Sequence, residues 1–182
     1  MAHPLEGLLH RAGPTVGSTV DWDAVTSSYG RALPSDYQEF IRIYGSGSIE
    51  DYLEILGPAT NKADLDGDFV SRLHPSMRER SAGEWCDPAD VGRYDLGDML
   101  VWGITEADVL CWIAADPDPQ AWPVAVYARQ DAAWSVYPFG LVEFLVRLLG
   151  DDFEKWPVSD ISLRKISAPR FLHAEDRDLW DQ

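Results

Sequence analysis

Residues 33–49 read LPSDYQEFIRIYGSGSI. Within them Tyr37, Phe40, Ile41 and Tyr44 recur at the spacing of one helical face. Ser35 and Gln38 have the spacing of a capping box, in which a hydroxyl and an amide satisfy backbone N–H groups of the first turn. Leu33 stands where a hydrophobic staple would, and Pro34 fixes the backbone just ahead of the helix. Gly45 ends the helix, and Gly47 permits angles that other residues resist. An extended segment, 48–56, follows and closes at Gly57-Pro58. The stretch therefore predicts a helix, a glycine turn and a strand.

The same reading extends outward. Upstream, Asp21 is an N-cap candidate for a helix carrying Trp22, Val25 and Tyr29, with Gly30 as its stop. Downstream, Leu65, Phe69, Val70 and Leu73 predict a helix over 61–73, and residues 81–98 predict an acidic loop. The period then changes. Segments 99–104, 109–114, 124–128 and 133–137 are strand-like, and their connections are too short for parallel crossovers. Leu141, Phe144, Leu145, Leu148 and Leu149 predict a closing helix, with Gly150 after it. The expectation is an α+β domain: N-terminal helices, an antiparallel meander of about four to six strands, and a C-terminal helix packed on the sheet. Residues 1–182 read as one domain, with a core over about 20–150 and an extension, 151–182, that wraps its surface.

Charge narrows the function classes. The 182 residues carry 31 acids and 15 Lys+Arg, a formal net charge of −16. Nucleic acid and anionic membrane surfaces need a basic patch, so both are excluded as main partners. No apolar run is long enough to span a bilayer, the N-terminus lacks a signal-peptide pattern, and Cys86 and Cys111 suit reduced thiols in the cytoplasm, with Cys111 in the core. The four histidines are scattered, no nucleophile elbow occurs, and Gly45-Ser46-Gly47 runs from helix to strand, the reverse of a phosphate-cradling loop. The acidic run 64–68 fails the register of a calcium loop and reads as a solvated helix face. These readings assign no catalytic, metal or cofactor residue.

The acids are unevenly placed. Residues 84–118 hold nine acids and one base, so half of the net charge lies in the loops around the first two meander strands. Aromatic residues beside acids are what a binding hot spot uses, and Trp85 and Trp122 flank the stretch. Glu84, Trp85, Asp87, Asp90, Asp95, Asp98, Asp116 and Asp118 are the candidate partner-binding residues. A solubilising surface is the competing account of the same charges.

The 33–49 stretch resembles the opening motif of the SMI1/KNR4 (SUKH) superfamily. Gly30, Leu33-Pro34, Asp36-Tyr37, the apolar helix through Phe40 and Tyr44, and the Gly45-x-Gly47 turn into Ile49 carry the resemblance. Ile55-Leu56-Gly57-Pro58, Trp102, Trp112 and Trp134, and the run Phe139…Glu143-Phe144-Leu145 extend it across about residues 20–150. The motif residues have structural jobs, so the resemblance implies a fold and a binding role without catalysis. Bacterial members of that superfamily resemble immunity proteins that neutralise a cognate toxin, often a nuclease, and fungal relatives are scaffolds. The expectation is therefore a cytoplasmic, non-enzymatic immunity-type protein whose acidic face meets a basic toxin domain. The Lys-poor composition, with Lys62, Lys155 and Lys165 alone, suits a high-GC bacterium. The alternatives are a regulatory or scaffold module for a host protein and, last, a carboxylate-based metal hydrolase.

Overall fold

The structure is a computed structural model that describes residues 3–65 and 68–181. Nine strands join in one sheet: β1 (His10–Arg11), β2 (Gly47–Ile49), β3 (Leu53–Ile55), β4 (Ser71–Arg72), β5 (Met99–Ile104), β6 (Val109–Ile113), β7 (Val124–Ala128), β8 (Ala133–Tyr137) and β9 (Arg170–His173). The order is β1-β9-β2-β3-β5-β6-β7-β8, with β4 paired to β5 beyond the end of β3. Every named pairing is antiparallel except β1–β9. Four α-helices accompany the sheet: α1 (Trp22–Tyr29), α2 (Ser35–Tyr44), α3 (Pro75–Ser81) and α4 (Leu141–Leu149).

The expected α+β class describes this architecture, and β5 to β8 form an antiparallel meander as the short connections require. The strand count does not match the expected four to six. The additional strands are two to four residues long, too short to show a period of two in sequence. The segment expected as one strand over 48–56 is two, β2 and β3, joined by a turn in which Glu50 and Asp51 both take φ 52°. Residues 151–182, expected to wrap the surface, insert β9 between β1 and β2.

The helix expected over 61–73 is not formed by the described residues. Asn61 caps a short 3-10 turn at Lys62–Asp64. Val70 then donates to the Gly57 carbonyl at 2.9 Å, and Ser71 and Arg72 pair with Val101 and Leu100. Main-chain pairing at the edge of β5 outweighs the helical spacing of the apolar residues. Asp66 and Gly67, part of the expected acidic face, lie outside the described residues.

Asp21 caps α1, accepting from the N–H of Asp23 and Ala24. The cap of α2 differs from the capping box. Pro34 is its N-cap and Ser35 already lies in the helix. The Ser35 hydroxyl and N–H both donate to the Gln120 side chain, and the Gln38 amide donates to the Leu33 carbonyl at 2.8 Å. Asp36 serves a different helix. Its Oδ2 accepts the Val142 N–H at 3.0 Å and so caps α4, whose own N-cap is Gly140. A side chain at Gly140 would collide with that carboxylate, since its Cβ would lie 2.7 Å from Asp36 Oδ2.

The core lies between the sheet and the helices. Tyr37, Phe40, Ile41 and Tyr44 of α2 are all buried, and the Tyr37 hydroxyl donates to the Leu56 carbonyl at 2.7 Å. Phe144 of α4 packs on Trp102 of β5 and Tyr137 of β8, with ring centroids 6.0 and 5.3 Å apart. Burial pushes the Tyr37 phenol well up and the Tyr137 phenol to about 12. Cys111 is fully buried and Cys86 is exposed, and neither forms a disulfide. No helix among the described residues is long and apolar enough to cross a membrane.

The two chain ends are fastened to one another and to the motif. The N–H and hydroxyl of Thr15 both donate to Asp176. Gly45, at φ 78°, lies against the His173 ring, and a Cβ there would come within 2.2 Å of it. At Gly47 a Cβ would meet the Leu172 carbonyl oxygen at 2.1 Å. The glycine turn is therefore the surface against which β9 closes the sheet.

Candidate functional site

Loops 84–98 and 115–123 flank β5 and β6 and carry all eight expected partner-binding residues. Their local folding is set largely by the acids themselves. Asp87, Asp95 and Asp118 each begin a 3-10 turn and accept a backbone N–H two residues ahead: from Ala89 at 2.9 Å, Gly97 at 2.7 Å and Gln120 at 3.0 Å. Asp116 does the same for Asp118 at 2.8 Å. One carboxylate oxygen at each position has a structural task while the residue stays exposed.

Asp90 departs from the expected pattern. It is buried and lies 3.7 Å from Arg93, the single base of the stretch. Asp108, in the same stretch, is also buried and structural. Its carboxylate accepts the backbone N–H of Arg129 at 2.9 Å and of Ser159 at 2.7 Å, and also the Ser159 hydroxyl. It anchors the C-terminal segment beside the turn between β7 and β8 rather than facing a partner. Within residues 84–118 the exposed acids with no side-chain role among the described contacts are Glu84, Asp98 and Glu106.

Two neighbouring clefts form between these loops. The first, of about 810 Å³, has Trp85 and Tyr94 on its walls and Glu79, Asp95 and Asp98 around it, with Arg78 and Arg93 beside them. The second, of about 790 Å³, has Trp122, Val136 and Phe139 along its length and Asp87, Asp90 and Asp116 around it. Arg93, Tyr94 and Ala115 line both. Six of the eight expected partner-binding residues thus line one cleft or the other, and Glu84 and Asp118 line neither.

The aromatic walls are fixed from behind. Trp85 is half-buried against Tyr94 and Trp134, with centroids 5.8 and 6.4 Å away. Trp122 is buried, and its indole N–H donates to the Asp116 carbonyl at 2.7 Å. Arg93 stands 5.0 Å over the Tyr94 ring and Arg31 stands 5.7 Å over Trp122, so a guanidinium of the chain itself already occupies one face of each ring. Exposed carboxylates around accessible hollows with rigid walls are suited to receiving cationic side chains.

Compared with known proteins, the chain matches no family model, no curated protein and no solved structure.

Sequence reasoning did not find Tyr94, Val136 or Phe139, which complete the cleft walls. Tyr94 had a signal, an aromatic residue inside the acidic run. Val136 and Phe139 had none, because their nearness to residues 87–90 comes from folding alone. Nor did sequence reasoning pair Ser18 with His173, whose side chains meet at 3.0 Å. His173 Nδ1 accepts the Glu175 N–H at 3.1 Å, which leaves the ring proton on Nε2, facing the Ser18 hydroxyl. In that tautomer the ring cannot take the serine proton, and the contact fastens the two chain ends together. Among the described residues no three His, Cys, Asp or Glu side chains group as a metal site.

Proposed function

We propose that this chain is a non-enzymatic, cytoplasmic protein-binding domain of the SMI1/KNR4 immunity kind, which neutralises a basic, nuclease-type toxin domain by presenting its acid-lined clefts to it. The observation that carries the reading is the gathering of Trp85, Asp95 and Asp98 on one cleft and Asp87, Asp90 and Asp116 on its neighbour. A purely solubilising charge has no need to surround aromatic hollows. Proteins that act on nucleic acid carry basic surfaces, and an acidic inhibitor gains both association rate and complementarity against them. The 33–49 motif supports the family part of the reading. Its Asp36 caps α4, and its two glycines receive β9, so the motif builds the scaffold that holds the clefts.

The test is co-expression with the toxin domain encoded beside this chain's gene. Restored growth together with a co-purifying complex is the expected result. A toxin that still kills and does not co-purify overturns the reading.

A further inference from the structure

Strand β8 is the last of the sheet on its side. Along an antiparallel strand the main-chain groups point alternately to the neighbour and to the open edge. At Trp134 the outward groups are satisfied. Its N–H donates to the Glu84 carbonyl at 2.8 Å, and its carbonyl accepts the Cys86 N–H at 2.8 Å, which makes residues 84–86 a short parallel bridge. Two residues on, Val136 presents its N–H and carbonyl to the same edge, opposite Ala125 in the ladder. A parallel strand continuing from Cys86 would next donate from residue 88, and residue 88 is proline, which has no N–H. Asp87 instead caps the turn at Pro88–Asp90, and the chain leaves the edge. Val136 is half-buried, neither of its outward main-chain groups has a partner among the described contacts, and it lies within the second cleft.

We propose that this edge is where the partner engages. An extended segment carrying Lys or Arg adds to β8 at Val136, donating one main-chain N–H to the Val136 carbonyl and accepting from its N–H. Alternate side chains then reach the exposed Asp87 and Asp116 of the cleft and lie along Pro138 and Phe139. The single open residue sets the register, and the surrounding acids select a basic segment. An unpaired sheet edge invites strand addition, and the chain has covered the rest of this one with residues 84–86. The proposal rests on the acidic-face reading above and deepens it.

The probe is a short synthetic peptide of alternating Lys and Val, followed by NMR on the isotope-labelled full chain. Saturable shifts centred on Val136, with slowed exchange of its amide, are expected. Methylating the peptide's own N–H groups should weaken binding about tenfold, the worth of a lost main-chain hydrogen bond or two. An alternating Glu/Val peptide should leave Val136 unshifted. The variant Val136→Pro removes the outward donor without breaking the β7–β8 ladder, and should weaken binding similarly. The methylated peptide tests the same bond with the protein untouched. Undiminished binding of the methylated peptide, shifts centred elsewhere, or no binding overturns the proposal. So does protection of Val136 that rises with protein concentration alone, which would make a second copy the occupant. A toxin that is neutralised while the Val136 amide exchanges freely in the complex overturns the edge and leaves the function. Peptide addition at Val136 without rescue of growth upholds the edge and removes the function.

Discussion

Gly30 and Gly45 both sit at positive φ, 70° and 78°, and both follow a helix. They differ in what surrounds them. A Cβ at Gly30 would meet nothing within 4 Å, whereas one at Gly45 would strike the His173 ring at 2.2 Å and the Ser18 hydroxyl at 2.9 Å. Gly30→Ala should therefore cost about 1 kcal/mol, the left-handed penalty alone. Gly45→Ala should cost about 3 kcal/mol or more, because the ring and its bonds to Ser18 and Glu175 must also move. Denaturant unfolding of the two variants measures the difference, and equal losses would show that His173 yields freely. The glycine at 45 was legible as a turn in the sequence. Its reason was not, since the ring it accommodates belongs to the distant C-terminal segment. Asp36 is similar: as part of the motif it was legible, but its use as the cap of α4 depends on a helix that begins far along the chain.

At the scale of elements, length decided legibility. Helices α2 and α4 announce themselves by apolar residues at a helical period, α1 by its Asp21 cap and Gly30 stop, and strands β5 to β8 by largely apolar runs of five or six residues. Strand β9 does not, because its four residues sit in a polar tail and are held by side chains as well as by the ladder. Glu50, in the left-handed turn after β2, is the chief of these. Its Oε1 accepts the Arg170 backbone N–H at 2.7 Å and the guanidinium Nε at 3.1 Å, and its Oε2 accepts a second guanidinium nitrogen at 3.0 Å. Burial raises the Glu50 carboxyl, and the hydrogen bonds and charge of Arg170 more than reverse this, leaving it below its ordinary 4.5. A carboxyl lowered in the folded state stabilises above its unfolded value, and that contribution is lost as pH falls through the folded one. Glu50→Gln should accordingly lower the thermal midpoint at neutral pH, and the gap to the parent chain should close in acid below the carboxylate range. Thermal unfolding of both chains over a pH series checks this, and a gap that persists in acid would assign the effect to the turn's backbone instead of to the charge.

At the scale of the whole molecule, the charge of −16 was plain from composition, and its concentration in 84–118 from position. What only the fold supplies is the division of labour among those acids. Asp108 and Asp90 are buried, the first anchoring Ser159, and Asp87, Asp95, Asp116 and Asp118 stay exposed while shaping their own loops. Reversing these last four to Lys would confuse lost charge with lost turns. Asparagine separates the two, because its side-chain carbonyl caps as the carboxylate does. The fourfold variant Asp87→Asn, Asp95→Asn, Asp116→Asn and Asp118→Asn should keep the thermal midpoint close to that of the parent. Against the cognate toxin domain its association should slow about tenfold at low salt, with the dissociation rate changed far less and the dependence of association on ionic strength flattened. Stopped-flow mixing across a salt series reads all three. An unchanged association rate at a preserved thermal midpoint would move the docking face away from the clefts and leave these carboxylates with the turns they cap.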